Sequence, residues 1–170
     1  MTSPQKAKGN AWERKVADHL TEMYGEKFIR VPHSGAYIGG SNAGRKEFLH
    51  EGQIRSFKGD IIPGQSFPRF NAECKSYADF PFHQVLQGSC RQLDVWLDQL
   101  MEVADHGDFN ILFMKFNRKG TYVAVPSGSP WHPATPHLSY QSPRHSSWLI
   151  FEYQNFWLHN TDLVRQLCQP

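Results

Sequence analysis

In the stretch GDIIPGQSFPRFNAECK, Asp60, Glu73 and Lys75 stand at positions where an ordinary sheet would take Val or Ile. In a strand successive side chains alternate between faces, so Glu73 and Lys75 share one face and Cys74 takes the other. If KGDII and FNAECK pair across the turn residues PGQSFP, the Asp60 carboxylate comes close to that of Glu73. Two neighbouring carboxylates repel each other unless a cation lies between them. Mg²⁺ suits such a place, because it takes few protein carboxylates and keeps several waters and substrate phosphate oxygens; the carbonyl of Cys74 would add a backbone oxygen. Lys75 would then orient or deprotonate the attacking water, or stabilise charge building on a phosphate. The metal lowers the water's pKa and polarises the phosphoryl oxygen, so the set suits hydrolysis of a phosphodiester. A Glu-x-Lys triplet also arises by chance, and a Glu–Lys pair on a solvated sheet face is ordinary. The chemistry therefore needs support from the rest of the chain.

The elements that must position these residues can be read from pattern. Asn10 reads as a helix N-cap with Glu13 in capping-box position. Trp12, Val16, Leu20 and Tyr24 recur at helical spacing, predicting an amphipathic helix over 11–24 that Gly25 ends. KFIRVP predicts a short strand halted by Pro32. The Gly-rich, polar and basic segment 33–57 predicts a long loop. Strands are expected over about 58–63 and 69–77. A helix should start near Pro81, with Leu93, Trp96, Leu97, Leu100 and Ala104 on its core face. FNILFMKF and TYVAV, joined by NRKG, predict a hairpin. Segment 126–147, with its Pro, Ser and His, reads as irregular, followed by a strand over about 148–153 and a short helix from Thr161. This order predicts an α/β fold with a mixed central sheet flanked by helices.

The bulk numbers bound the function. A chain of 170 residues suits one domain with a real core, and 39% apolar with 14% aromatic residues suits a folded protein. No apolar run approaches the roughly 18 to 20 residues of a membrane span, and the N-terminus lacks the apolar core of a secretory signal. Three widely spaced cysteines argue against both a disulfide scaffold and a structural zinc site. His132, His137 and His145 lack ligand spacing. A reducing, cytoplasmic setting is expected. The net charge of +2 is unevenly spread: residues 1–60 hold ten Lys/Arg against seven Asp/Glu, and the remainder eight against nine. Lys6, Lys8, Arg14 and Lys15 cluster at the start, and Arg45, Lys46, Arg55 and Lys58 precede the acidic stretch. Such a patch attracts a polyanion, although a solvated face would look the same.

With these residues assembled the chain resembles the PD-(D/E)xK nuclease superfamily, and within it the archaeal-type Holliday junction resolvases and related phage enzymes. KGNAWERKVADHL is similar to the family's opening helix, RVPHSG to its Arg-x-Pro-x-Ser-Gly, GDII to the segment bearing its Asp, and AECKS to its Glu-x-Lys-Ser. The resemblance spans about residues 6–104 and implies a restriction-endonuclease-like fold. It implies that Glu13, Asp60 and Glu73 serve the metal site with the Cys74 carbonyl, that Lys75 is catalytic, and that Ser34 lies near the scissile phosphate. It implies that Arg30 contacts the DNA backbone, to which Lys8, Arg14, Arg45, Lys46 and Lys58 add charge. A homodimer, Mg²⁺ or Mn²⁺, and paired nicks across a four-way junction follow from the same likeness. Gly59 stands where the family often has Pro, the loop 35–59 is longer than in the compact archaeal enzymes, and 126–170 has no counterpart. Residues 1–125 are therefore expected to form the nuclease core and 126–170 an extension completing the same domain. A sequence-specific restriction-type or repair nuclease, and a non-catalytic nucleic-acid-binding module, are the competing readings. Gln84, Gln87 and Gln92 are candidates for a helix Gln near the site. Trp131, Tyr140, Trp148, Phe151, Tyr153, Phe156 and Trp157 belong either to the core or interface, or to a surface that stacks on unpaired bases.

Overall fold

The computed structural model describes residues 3–32, 59–133 and 135–170. Ser34, Arg45, Lys46, Lys58 and the long loop expected over 33–57 lie outside the described residues. Helix α1 runs Pro4–Tyr24, beginning about two turns before the periodicity predicts. The start is set by Ser3, whose hydroxyl accepts from the Lys6 N–H at 3.2 Å, and by Pro4, whose missing N–H costs nothing in a first turn. Asn10 therefore lies inside the helix and caps nothing, and Glu13 is no capping-box residue. The predicted stripe of Trp12, Val16, Leu20 and Tyr24 is buried. Gly25 closes the helix at φ 69°, a left-handed conformation that side chains rarely adopt.

Strands β1 (Ile29–Arg30) and β2 (Ile61–Ile62) pair antiparallel with each other. The hairpin expected between residues 58–63 and 69–77 does not form. Pro63 has no N–H to extend such a ladder. Phe67, fully buried, packs its ring 4.6 Å from Tyr24 and 5.1 Å from Phe28, which draws the connection into the core. β3 (Phe70–Tyr77) joins β4 (Phe109–Phe116), β5 (Gly120–Pro126), β6 (His137–Ser142) and β7 (Ser146–Glu152) in one sheet of order β3-β4-β5-β7-β6. β3 and β4 are parallel, with Glu73 opposite Leu112 and Lys75 opposite Met114; the other pairs are antiparallel. A parallel pair needs a crossover, and here it is made by α2 (Phe82–Gln87) and α3 (Arg91–Glu102), separated at Gly88. The single helix expected after Pro81 is thus two.

One sheet face, with Ala72, Cys74, Phe113 and Phe151, packs on α1 and on the last helix, α4 (Tyr153–Leu167). The other, with Leu112, Met114, Phe116 and Ile150, packs on Leu93, Trp96, Leu97 and Leu100 of α3. This mixed sheet flanked by helices is consistent with a restriction-endonuclease-like fold. Two expectations for the tail need correction: residues 137–142 form a strand, and the last helix starts at Tyr153, where the Glu152 carboxylate accepts from the Asn155 N–H at 2.7 Å. All seven tail aromatics are buried, none more than 8% exposed, so they serve the core and are closed to nucleic-acid bases. Among the described residues no helix is long and apolar enough to cross a membrane.

Candidate active site

β3 is an edge strand, and its outer edge is where the acidic residues meet. Edge strands expose unpaired backbone groups that need partners. Asp60 supplies them: its N–H donates to the Ala72 carbonyl at 2.9 Å, and its carboxylate Oδ2 accepts from the Cys74 N–H at 2.7 Å. On its other side the Asp60 carbonyl accepts from the Val31 N–H at 2.9 Å. The residue is thus fixed by main chain on both sides and is only 5% exposed. Since the N–H and C=O of one strand residue point to the same edge, the Cys74 carbonyl shares the side occupied by the Asp60 carboxylate. The Cys74 thiol points into the core, where burial pushes its pKa well up.

Glu73 and Lys75 lie together on the α3 face, as strand alternation predicts. The Lys75 ammonium donates to Glu73 Oε1 at 2.9 Å and to Gln99 Oε1 at 2.5 Å. Gln99, on α3, was not among the glutamines singled out from sequence. The helical pattern that buries Trp96 and Leu100 carries a signal for it, because residue 99 lies one turn beyond Trp96. Only the docking of α3 on β3 shows that this places its amide at Lys75.

Glu13 reaches the cluster from α1. Its Oε2 accepts from Arg30 Nε at 2.6 Å, while Arg30 Nη2 donates to the Asn10 side-chain Oδ1 at 2.6 Å. Arg30 is therefore committed to α1 rather than standing open. Burial, and then repulsion from Asp60, push the Glu13 carboxyl up to about 7 despite Arg30. Glu73 is pushed up to about 7 by the same two causes, against the pull of Lys75. That Asp60 raises both places the three carboxyl groups in one field. Lys8 and Arg14 lie on the exposed surface of α1, and Gln84, Gln87 and Gln92 make no contact with Lys75 or Glu73 among the described hydrogen bonds.

Among the described residues no group of three or more His, Cys, Asp and Glu side chains gathers tightly enough to hold an ion alone. The donors at the β3 edge still fit a hard divalent ion of the Mg²⁺ type. They are oxygens and they are few, and burial together with the charge of Asp60 makes the neighbouring Glu73 carboxylate costly to ionise without a cation. Asp60, Glu73 and the Cys74 carbonyl are the groups that would hold it, with Arg30 keeping Glu13 to one side. Such an ion supplies Lewis acidity to a phosphoryl oxygen and acidity to water. The chain itself supplies a fixed ammonium at Lys75, oriented by the Glu73 carboxylate and the Gln99 amide.

Gly59 explains how Asp60 gets so close. A Cβ at this position would lie 2.7 Å from the Ala72 carbonyl oxygen and 3.1 Å from Asn71 Oδ1. Neither can retreat, since one is backbone and Asn71 is tied to the Leu100 carbonyl and to Asn110. Any Cβ meets this obstacle, which accounts for Gly in place of Pro. Gly59→Ala is expected to cost about 1–3 kcal/mol of stability by overpacking. By moving Asp60 it should also lower nucleic-acid cleavage about 100-fold. Thermal melting and cleavage rates measured side by side check this, and unchanged cleavage would show that Asp60 keeps its place without Gly59.

Neither the curated proteins nor the solved structures give a match to this chain. Residues 4–161 do match a protein family, described as "Phage putative PDDEXK endonuclease". The match takes in α1, the acidic edge of β3 and the strands behind it, and so covers every element that positions the site. The chain belongs to this endonuclease family.

Proposed function

We propose that the protein is a metal-dependent endodeoxyribonuclease that cuts branched DNA in the manner of a junction-resolving enzyme. The observation that carries the nuclease reading is the Asp60 carboxylate fixed on the Cys74 N–H, at the same strand edge that bears the Glu73–Lys75 pair. Mg²⁺ or Mn²⁺ is the ion, held by Asp60, Glu73 and the Cys74 carbonyl. Lys75 stabilises charge on the phosphate or moves a proton at the attacking water. Support for branched DNA comes from the order of the four motifs, which follows that of junction resolvases. Lys8 and Arg14, with Arg45, Lys46 and Lys58, meet the phosphate backbone, so affinity falls steeply with salt. The likeness of RVPHSG to the family motif assigns Ser34 a role at the scissile phosphate. Two copies act as a homodimer, one site on each of two strands. Residues 126–170 complete the domain begun by 1–125. Cys74, Cys90 and Cys168, all free and buried, suit a cytoplasmic protein.

The test is to offer purified protein a four-way junction, linear duplex and single strands with Mg²⁺. Symmetric cuts near the branch, with little cleavage of linear duplex, are expected. Equal cleavage of linear duplex would remove the junction assignment, and cut positions that follow sequence would turn the reading to a restriction-type enzyme. Binding without cleavage under any divalent ion would leave a nucleic-acid-binding module.

A further inference from the structure

β3 carries a third side chain on the face of Glu73 and Lys75, namely Tyr77. It lies two residues past Lys75, about 6.6 Å along the strand. Tyr77 is 40% exposed and is the one Phe, Trp or Tyr among the large apolar side chains left exposed in the described residues. Its ring is backed by Trp96 at 5.1 Å, Trp96 stacks on Phe80 at 5.5 Å, and Phe80 on Phe116 at 5.0 Å. Tyr77 is thus the open end of a file of buried rings. A ring supported in this way has little freedom left to lose on binding. Past it along the chain lies a cleft of about 410 Å³ lined by Asp79, Phe80, Pro81, Phe82, His83 and Lys119. Lys119 is paired to Asp79 at 2.6 Å in the open, where such a pair is weak, so its ammonium can turn to a phosphate.

We propose that Tyr77 stacks on one unpaired base flanking the phosphate that is cut, with the Lys119 cleft taking the next part of that strand. This inference rests on the nuclease reading of the Glu73–Lys75 site and names the substrate feature that the site selects. In continuous duplex both faces of every base are covered by its neighbours, so a base next to the phosphate at Lys75 can offer a face to Tyr77 only if it leaves the stack. Branch points, flaps and ends offer such a base cheaply, and continuous duplex does not. A lone supported ring beside a reactive lysine suits a π-face better than a protein surface, which would need a wider apolar patch.

The experiment uses full-length protein carrying Lys75→Ala, so that the DNA stays intact, with Mg²⁺. The DNA is a branched substrate bearing 2-aminopurine in turn at each position flanking the cut, and stacking on a ring quenches this base. Quenching at one flanking position is expected. Adding Tyr77→Ala should abolish the quench and weaken binding of the branched substrate about tenfold, leaving linear duplex binding unchanged. Adding Tyr77→Phe should keep both, and equal melting temperatures exclude misfolding. If Tyr77→Ala quenches and binds as before, or weakens branched and linear DNA alike, the inference is overturned while cleavage by the parent still supports the nuclease reading. If the parent cuts no DNA with any divalent ion, the nuclease reading falls, whatever the fluorescence shows.

Discussion

Lys75→Ala should slow DNA cleavage by about 10³-fold while leaving the fold and DNA binding in place. The Lys75 side chain is 14% exposed, and its ammonium is held from two directions, by Glu73 and by Gln99. A flexible lysine normally samples many rotamers; two acceptors on rigid elements remove that freedom and aim the charge beforehand. Loss of the ammonium leaves a short apolar stub on a strand still paired to β4 along its whole length, so the fold persists, with melting lowered at neutral and higher pH because Glu73 loses its counter-charge. Gln99→Ala should cost less, about tenfold, because Glu73 still holds the lysine. Single-turnover rates on the preferred substrate measure both. A Lys75→Ala rate within a few-fold of the parent would take Lys75 out of the chemistry.

Asp60→Asn should lose cleavage to a similar extent, yet stabilise the metal-free protein at neutral and higher pH. The amide oxygen of Asn can still accept from the Cys74 N–H, so the edge of β3 keeps its partner. What disappears is a negative charge that raises the pKa of both Glu13 and Glu73. The sign follows from linkage. Both groups have folded-state pKa values of about 7 against an ordinary 4.5, so between those values the folded protein holds more protons than the unfolded chain. Their contribution to stability is complete below pH 4.5 and is lost as pH rises through 7. Removing the Asp60 charge flattens that loss, leaving the part due to burial and, for Glu13, to Glu73. Melting temperature against pH, without and with Mg²⁺, separates the two proteins. The parent should fall across pH 4.5–7.5 and recover when Mg²⁺ is added. Asp60→Asn should fall less and respond little to the ion. Activity is thus gained at a cost in stability. A variant that cut and melted like the parent would show that Asp60 has no part in the site.

Some of this site is local and was readable before any fold was known. That Glu73 and Lys75 share a face follows from strand alternation alone, and the burial of Trp12, Val16, Leu20 and Tyr24 follows from helical spacing. The β4–β5 hairpin was equally plain, since two alternating runs and a Gly-containing turn lie adjacent in the chain. Capping was less secure, because Ser3 and Asn10 are both good caps by type. Arg30, twenty positions on from Asn10, decides between them by drawing the Asn10 side chain to its own guanidinium.

Residue type and spacing by themselves determined that an acid and a base would stand side by side on one strand, and that a sheet between helices would carry them. Only the tertiary structure decided what joins them. Asp60 arrives through two hydrogen bonds to an edge strand, not through the hairpin that its turn residues suggested. Gln99 arrives with a docked helix, and the tail aromatics are closed to bases while Tyr77 is left open. Spacing governs neighbours along a strand or helix because backbone geometry repeats. Contacts between elements depend on which surfaces bury together, and that choice is made by the whole chain at once.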